Sequence, residues 1–199
     1  MISAVIFDVA NVIADWDPMR AFEGVVSAEE AARLFESEAF WEVNAQTDAG
    51  LLLTDGLVEL DEIAPELTDL YRLYLKNFPA TTSGPVPGTA DVIDALLSRE
   101  VPVYGLSNWS AENFNVARRA APAIDRLADV IVSGEVGMAK PDPAIFRYAL
   151  HRFGLVAGDT LMVDDTAENL HAAASVGLQT VLFTSAAALR ADLERLGLL

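Results

Sequence analysis

From residue 89 to its C-terminus the chain alternates helical and strand patterns without a break, and no other feature restricts the fold as strongly. Apolar, β-branched stretches at 102–106, 128–132, 160–163 and 180–183 alternate with amphipathic stretches at 89–99, 111–120, 143–153, 167–176 and 186–196. Strands separated by helices of this length cannot pair as hairpins. They form βαβ units, which predicts an α/β fold built on a doubly wound, mostly parallel sheet. One more strand is expected at 3–7, a continuous apolar run suited to burial on both faces.

Between that strand and the alternating region the pattern is helical. Residues 28–35, with Ser27 as N-cap, and residues 67–75 carry amphipathic spacing, and no strand pattern is evident. The Pro/Gly/Ser-rich stretch 81–88 closes this region as a hinge. The chain therefore divides into a core of 1–14 and 84–199 and a small helical insertion of 15–83.

In doubly wound sheets, ligands bind beyond the carboxyl ends of the strands. Here those ends carry the polar residues. The first strand runs into Asp8, Ala10 and Asn11; the next ends in Ser107-Asn108; Lys140-Pro141-Asp142-Pro143 follows the third; Asp164-Asp165 and Asn169 follow the fourth. A single Asp at a strand end is commonly the N-cap of the next helix. Four such segments in order exceed what capping requires. Asp8 can attack phosphorus as a carboxylate nucleophile, and clustered carboxylates suit a hard cation such as Mg2+.

Composition narrows the chemistry further. There is no cysteine, which removes disulfides, thiolate metal sites and thiolate nucleophiles together. His151 and His171 both sit in helical patterns, as packed or solvated helix residues. A net charge of −17, with Arg118-Arg119 as the one basic pair, argues against a nucleic-acid partner. No apolar run approaches the roughly 20 residues of a membrane-spanning helix, and the N-terminus lacks a basic signal region, so a cytoplasmic location is expected. An acidic surface repels phosphate, so a phosphate site must bring its own cations. Of the two lysines, Lys76 and Lys140, one falls in the strand-end segments.

Those segments resemble the four motifs of the haloacid dehalogenase (HAD) superfamily, across almost the whole chain. Lys140-Pro141-Asp142-Pro143, followed by Ile145-Phe146, is the most distinctive, and Asp164-Asp165 with Asn169 nearly as specific. The resemblance implies a Rossmann-like core with a helical C1-type cap over 15–83, as in subfamily IA. The short span from Lys140 to Asp164 leaves no room for a second cap. It implies a phosphatase acting on small phosphorylated molecules through an aspartyl-phosphate on Asp8, as a monomer or homodimer. Asp8, the Ala10 carbonyl and Asp165 would hold Mg2+, with Asp164 and Asn169 supporting them. Ser107 and the Asn108 N–H would bind phosphate, and Lys140 would neutralise Asp8 and the phosphate.

The chain departs from that pattern at Ala10, where most phosphatases of the superfamily carry a second Asp as general acid and base. Such a group contributes roughly 10²–10⁴ in rate. A sugar-1-phosphatase-like branch has a phenylalanine-aspartate-x-glycine type first motif followed by an acidic, Trp-containing segment, which Asp15-Trp16-Asp17-Pro18 resembles. Asp15 or Asp17 is expected to stand in partly for the acid, or the substrate to tolerate its absence, with helix capping before Pro18 the other reading of Asp17. Anomeric and aryl phosphates, which leave easily, would be favoured. Trp41, Asn44, Asp48, Gly50 and Trp109 are candidates to line the substrate site, and Arg20 to meet an anion; ordinary packing or surface exposure accounts for each as well. Three rivals remain. A metal-independent 2-haloacid dehalogenase has no use for Asp164-Asp165. A HAD-fold binding protein has no use for the nucleophile. A phosphonate-cleaving enzyme would need Lys76, at a helix end near the hinge.

Overall fold

The computed structural model describes residues 2–199. The first strand, β1 (Ala4–Phe7), leads within seven residues to a short strand β2 (Ala14–Trp16). Four helices follow: α1 (Ala28–Phe35), α2 (Glu38–Asp48), α3 (Leu53–Ile63) and α4 (Thr68–Asn77). The chain returns through β3 (Thr82–Pro85), antiparallel to β2 with Asp15 opposite Gly84. Alternation then begins: α5 (Thr89–Ser98), β4 (Val103–Ser107), α6 (Asn115–Ala120), β5 (Val130–Val132), α7 (Ser133–Val136), α8 (Pro143–Phe153), β6 (Thr160–Asp164), α9 (Ala167–Ser175), β7 (Gln179–Leu182) and α10 (Ala186–Arg195).

Strands β5-β4-β1-β6-β7 form one five-stranded, wholly parallel sheet. Its period of two sorts the side chains. Ile6, Leu106, Ile131 and Met162 meet Ile145 and Phe146 of α8 and Leu170 and Ala173 of α9 on one face. Val5, Phe7, Val103, Leu161 and Val163 face the opposite core, which includes Val92 and Leu96 of α5 and Leu189 and Leu193 of α10. Both faces are covered, as a parallel sheet requires. The chain winds from β1 out to β5 and then crosses back to β6, so strand order reverses on either side of β1. That switch point opens a crevice at the end of β1, where Asp8 lies.

The four helices between β2 and β3 pack around Leu34, Phe40, Val43, Leu60, Tyr71 and Tyr74, all buried. Phe40 makes edge-to-face contacts with Tyr71 and Tyr74 at centroid distances of 5.9 and 5.8 Å. Two of these helices, α1 and α4, match the amphipathic runs. The other two, α2 and α3, carry weaker patterns.

Three local details differ from expectation. The β2–β3 ribbon lies in a region without strand pattern, because it is only a few residues long and contains Gly84 and Pro85. Long-range backbone bonds hold it: Asp17 N–H donates to Thr81 O at 2.8 Å and Val86 N–H to Ile13 O at 2.9 Å. The helix expected at 111–120 starts only at Asn115, since Ser110 and Asn113 close a turn first. The strand expected at 128–132 begins at Val130. Among the described residues no helix is long and apolar enough to cross a membrane.

Candidate active site

The crevice brings the four strand-end segments together around one buried lysine. Asp8 follows β1 directly, with its N–H donating to Val163 O at 2.8 Å. The loop behind it is tight: Val9 O accepts from both Ile13 and Ala14 N–H at 2.9 Å. Asn11 takes a left-handed conformation (φ 55°), which Asn tolerates better than most residues, and its Oδ1 accepts the Trp16 N–H at 2.9 Å. Asp8 is buried, and its Oδ1 accepts the Val9 N–H at 2.6 Å.

Lys140 Nζ lies 2.9 Å from Asp8 Oδ1 and 2.7 Å from Asp164 Oδ2, with all three side chains buried. Asp164 is already fully engaged. Its Oδ1 accepts from Thr166 N–H at 2.9 Å and from Asn169 Nδ2 at 3.0 Å. Asn108 fixes the lysine from behind: its Nδ2 donates to Lys140 O at 2.7 Å while its Oδ1 accepts the Lys140 N–H at 2.8 Å. Nothing in the sequence pattern pointed to this side-chain role. Ser107 Oγ is buried and makes no hydrogen bond among the described residues. Asp142 caps α8 by accepting the Ala144 N–H. Gly134 permits the close packing of the loop after β4, because a Cβ there would sit 2.6 Å from Ala111 N and 2.9 Å from Trp109 O.

Electrostatics follow from this burial. Desolvation pushes the Asp8 carboxyl up to about 7, with Asp164 adding to the rise, while Lys140 pulls it down. Desolvation also works against the Lys140 charge, yet the two carboxylates outweigh it and hold the ammonium above its ordinary value. Burial and the neighbouring Asp164 raise Asp165. One oxygen from each of Asp8, Asp164 and Asp165 lies within 4.8 Å of the others. Three carboxylates against one ammonium leave excess negative charge, and an all-oxygen donor set fits a hard divalent cation. Of the three, Asp8 and Asp165 line the cavity, whereas Asp164 does not and is bound by Lys140, Thr166 and Asn169.

Asp8 and Lys140 line a cavity of about 530 Å³ that extends to the helices between β2 and β3. Ala10, Asn108, Asp165 and Asn169 border it on the sheet side. Six aromatic residues form much of the remainder: Trp16, Trp41, Tyr71, Tyr74, Phe78 and Trp109. Of the candidates read from the sequence, Trp41, Asn44, Asp48 and Trp109 do line it. Asp15, Asp17, Arg20 and Gly50 do not. Asp15 is bound by Arg20 at 2.8 Å and by Ser83 Oγ, and Arg20 also donates to Thr81 O. Asp17 caps a 3₁₀ turn by accepting the Met19 N–H at 2.9 Å, so helix capping is the reading the structure favours. Lys76 is exposed and away from the cavity, as are His151 and His171. Tyr71 and Tyr74 of α4 and Phe78 just beyond it were missed, because in a run bearing several aromatic residues nothing marks which rings face a ligand.

Asp48, the last residue of α2, is half-buried at this cavity, and Asn44 Nδ2 donates to its Oδ2 at 3.2 Å. Burial pushes its carboxyl up to about 7, with Asn44 and Lys140 acting in the opposite direction.

Comparison with known proteins agrees with this geometry. The chain is 27% identical to the sesquiterpene phosphatase astK of Aspergillus oryzae, over 97% of this chain and 95% of that protein. An 81-residue stretch is 41% identical to part of the drimenol cyclase drtB of Aspergillus calidoustus, of which it spans only 15%. A crystal structure of HAD family enzyme bt-2542 from Bacteroides thetaiotaomicron, in complex with magnesium and inorganic phosphate, superposes with a TM-score of 0.71 at 20% identity, covering 93% of this chain and 96% of that one. Residues 2–177 match the haloacid dehalogenase-like hydrolase family, and with the fold and the four converging strand ends this means that the chain belongs to that family.

Proposed function

We propose that the protein is a Mg2+-dependent phosphatase that hydrolyses small phosphate monoesters through an aspartyl-phosphate on Asp8, and that the alcohol portion of its substrate is apolar. The observation that carries the reaction type is the buried Asp8–Lys140–Asp164 chain at the base of an open cavity, with Asp165 beside it. A purely binding protein gains nothing from holding a carboxylate in this environment. Residues 15–83 act as a cap over the core of 1–14 and 84–199.

In this reading Asp8, Asp165 and the Ala10 carbonyl hold the ion, and Asp164 and Asn169 position Lys140 and the loop. Mg2+ bound there would supply charge neutralisation between the Asp8 carboxylate and an incoming phosphate dianion. Lys140 contributes a further positive charge and orients Asp8. Ser107 Oγ and the Asn108 N–H donate to phosphate oxygens, and the unpartnered state of the Ser107 hydroxyl supports that role.

The substrate class rests on the walls. The volume falls within the roughly 300–1,000 Å³ usual for small-molecule sites, well beyond what phosphate needs. Six aromatic rings give a hydrocarbon a broad apolar surface, beside polar positions such as Asn11, Asn44, Thr47 and Asn113. The likeness to a sesquiterpene phosphatase supports the same class. The test is a panel of prenyl, aryl, alkyl and sugar phosphates, with haloacids as controls, assayed with Mg2+ and with chelator. Hydrolysis of the apolar phosphates that disappears with chelator and in Asp8→Asn is expected. Preference for sugar phosphates would overturn the substrate class. Chelator-resistant turnover of haloacids would replace the proposal with the dehalogenase reading.

A further inference from the structure

We infer that Asp48 is the general acid and base that Ala10 cannot be, delivered from the helical layer instead of from the loop after β1. This inference rests on the aspartyl-phosphate reading above. In-line displacement places the leaving oxygen on the side of phosphorus away from Asp8, toward the helices that face it across the cavity. The cavity is lined by the carboxyl groups of Asp8, Asp48, Asp165 and Glu168. Asp8 is the nucleophile, and Asp165 belongs to the carboxylate cluster. Glu168 is exposed in the first turn of α9, on the sheet side. Asp48 is the one carboxyl contributed by the helices between β2 and β3.

Its position relative to the sheet is secured by the loop that follows it. Gly50, at φ +105°, approaches the Gly134 carbonyl so closely that a Cβ would lie 3.2 Å from that oxygen. Three residues later, Leu53 N–H donates to Glu112 Oε2 at 2.6 Å. These contacts dock the end of α2 against the segments that follow β4 and β5, and those same segments carry Asn108 and Trp109. Asp48 is therefore held at the wall of the cavity that Asp8 also lines, and does not ride on a free helix end.

The charge state suits the task. A carboxyl pushed up to about 7 carries a proton part of the time at neutral pH, and a general acid works best with its pKa near the working pH. Around it stand Asn44 on its own helix, Tyr71 and Tyr74 on α4, and Lys140 across the cavity. Burial pushes the Tyr71 hydroxyl up to about 12 and the Tyr74 hydroxyl higher, so neither phenol exchanges protons near neutrality. Glu112 is engaged by Leu53.

Asp8 Oδ attacks phosphorus and the bond from phosphorus to the ester oxygen breaks. The bonding pair goes to that oxygen, which takes the Asp48 proton and leaves as the alcohol. Water then attacks the aspartyl-phosphate and gives one proton to the Asp48 carboxylate. The bond from phosphorus to Asp8 breaks with its electrons returning to Asp8, and phosphate departs.

The decisive experiment measures alcohol release in the first turnover of Asp48→Asn with Mg2+, on an alkyl and an aryl phosphate of similar size. An aryl leaving group needs little protonation. The alkyl ester should slow by about 10²–10⁴-fold and the aryl ester by less than about tenfold. KM should be little changed, and the alkaline limb of the pH profile, where Asp48 loses its proton, should vanish. Ala10→Asp in the Asp48→Asn background should restore part of the alkyl rate. Asp48→Ala is the second variant, with thermal unfolding checking that both are folded. Equal first-turnover losses on the two esters, a rise in KM alone, or wild-type rates would each overturn the role of Asp48. The phosphatase reading itself fails separately, if wild type turns over no ester or Asp8→Asn remains active.

Discussion

Lys140→Met is the perturbation that most directly probes how the site is held together. The lysine side chain is 1% exposed and contacts two carboxylates, Asp8 at 2.9 Å and Asp164 at 2.7 Å. At an effective dielectric near 20, each contact is a gross attraction of about 6 kcal/mol. Most of that is offset by the desolvation of three ionised groups, so the net worth of the cluster is small. Removing only the cation is different. Two buried carboxylates would then face each other without compensation, and such a loss typically costs about 3–5 kcal/mol. Domains of this kind have roughly 5–15 kcal/mol in total, so the variant should fold but be visibly weakened. Urea unfolding at pH 8 without Mg2+ should show a midpoint about 1–2 M below wild type. Adding Asp164→Asn should recover at least about half of the loss, because one of the two stranded charges is removed. A single variant within about 1 kcal/mol of wild type, or a double variant no better than the single, would refute the claim that Lys140 exists to compensate this pair.

Other consequences follow from the same geometry. Asn108→Ala removes both hydrogen bonds to the Lys140 backbone and should cost about 1–3 kcal/mol, with kcat/KM falling at least tenfold as the lysine loses its register; unfolding curves and steady-state rates check both. Gly134→Ala drives a methyl into Ala111 N and Trp109 O, and should cost about 1–3 kcal/mol while shifting the tryptophan fluorescence. The folded-state value of Asp48 is raised from 3.8 to about 7, so its contribution to stability is complete below pH 4 and is lost as pH rises through 7. Asp48→Asn should therefore melt above wild type at pH 8, by on the order of 2 kcal/mol after discounting for partial exposure, with the gap closing toward pH 4. Identical melting of the two proteins at both pH values would remove the argument that this carboxyl is desolvated.

In the proposed mechanism the acid moves from the loop after β1, at Ala10, to the end of α2, at Asp48. The strand-end loop that lacks the acid is tightly closed, with Val9 O taking two N–H groups and Asn11 in a left-handed turn. The end of α2, by contrast, reaches the cavity from the helical layer. Neither Asp15 nor Asp17 can serve without giving up the ribbon contact or the cap it makes.

Much of the site was legible before any coordinates, and for a simple reason. Once alternation dictates a parallel sheet, every strand has its carboxyl end on the same edge, so Asp8, Ser107, Lys140, Asp164 and Asn169 must gather wherever the strands lie. Local periodicity and strand-end position are enough for that. Trp41, Trp109 and Asp48 were legible as site candidates, but Tyr71, Tyr74 and Phe78 and the two-point grip of Asn108 on Lys140 were not. Nor was the pairing of Asp15 with Arg20 and Ser83. These depend on how α2 and α4 rotate about their axes and on a ribbon whose strands are far apart in sequence, and both are settled by packing between distant segments. The sequence by itself determined which chemistry sits at the sheet edge, because a strand carries its own direction. Only the tertiary structure decided what faces that edge, because a helix presents its whole circumference and long-range packing selects the side.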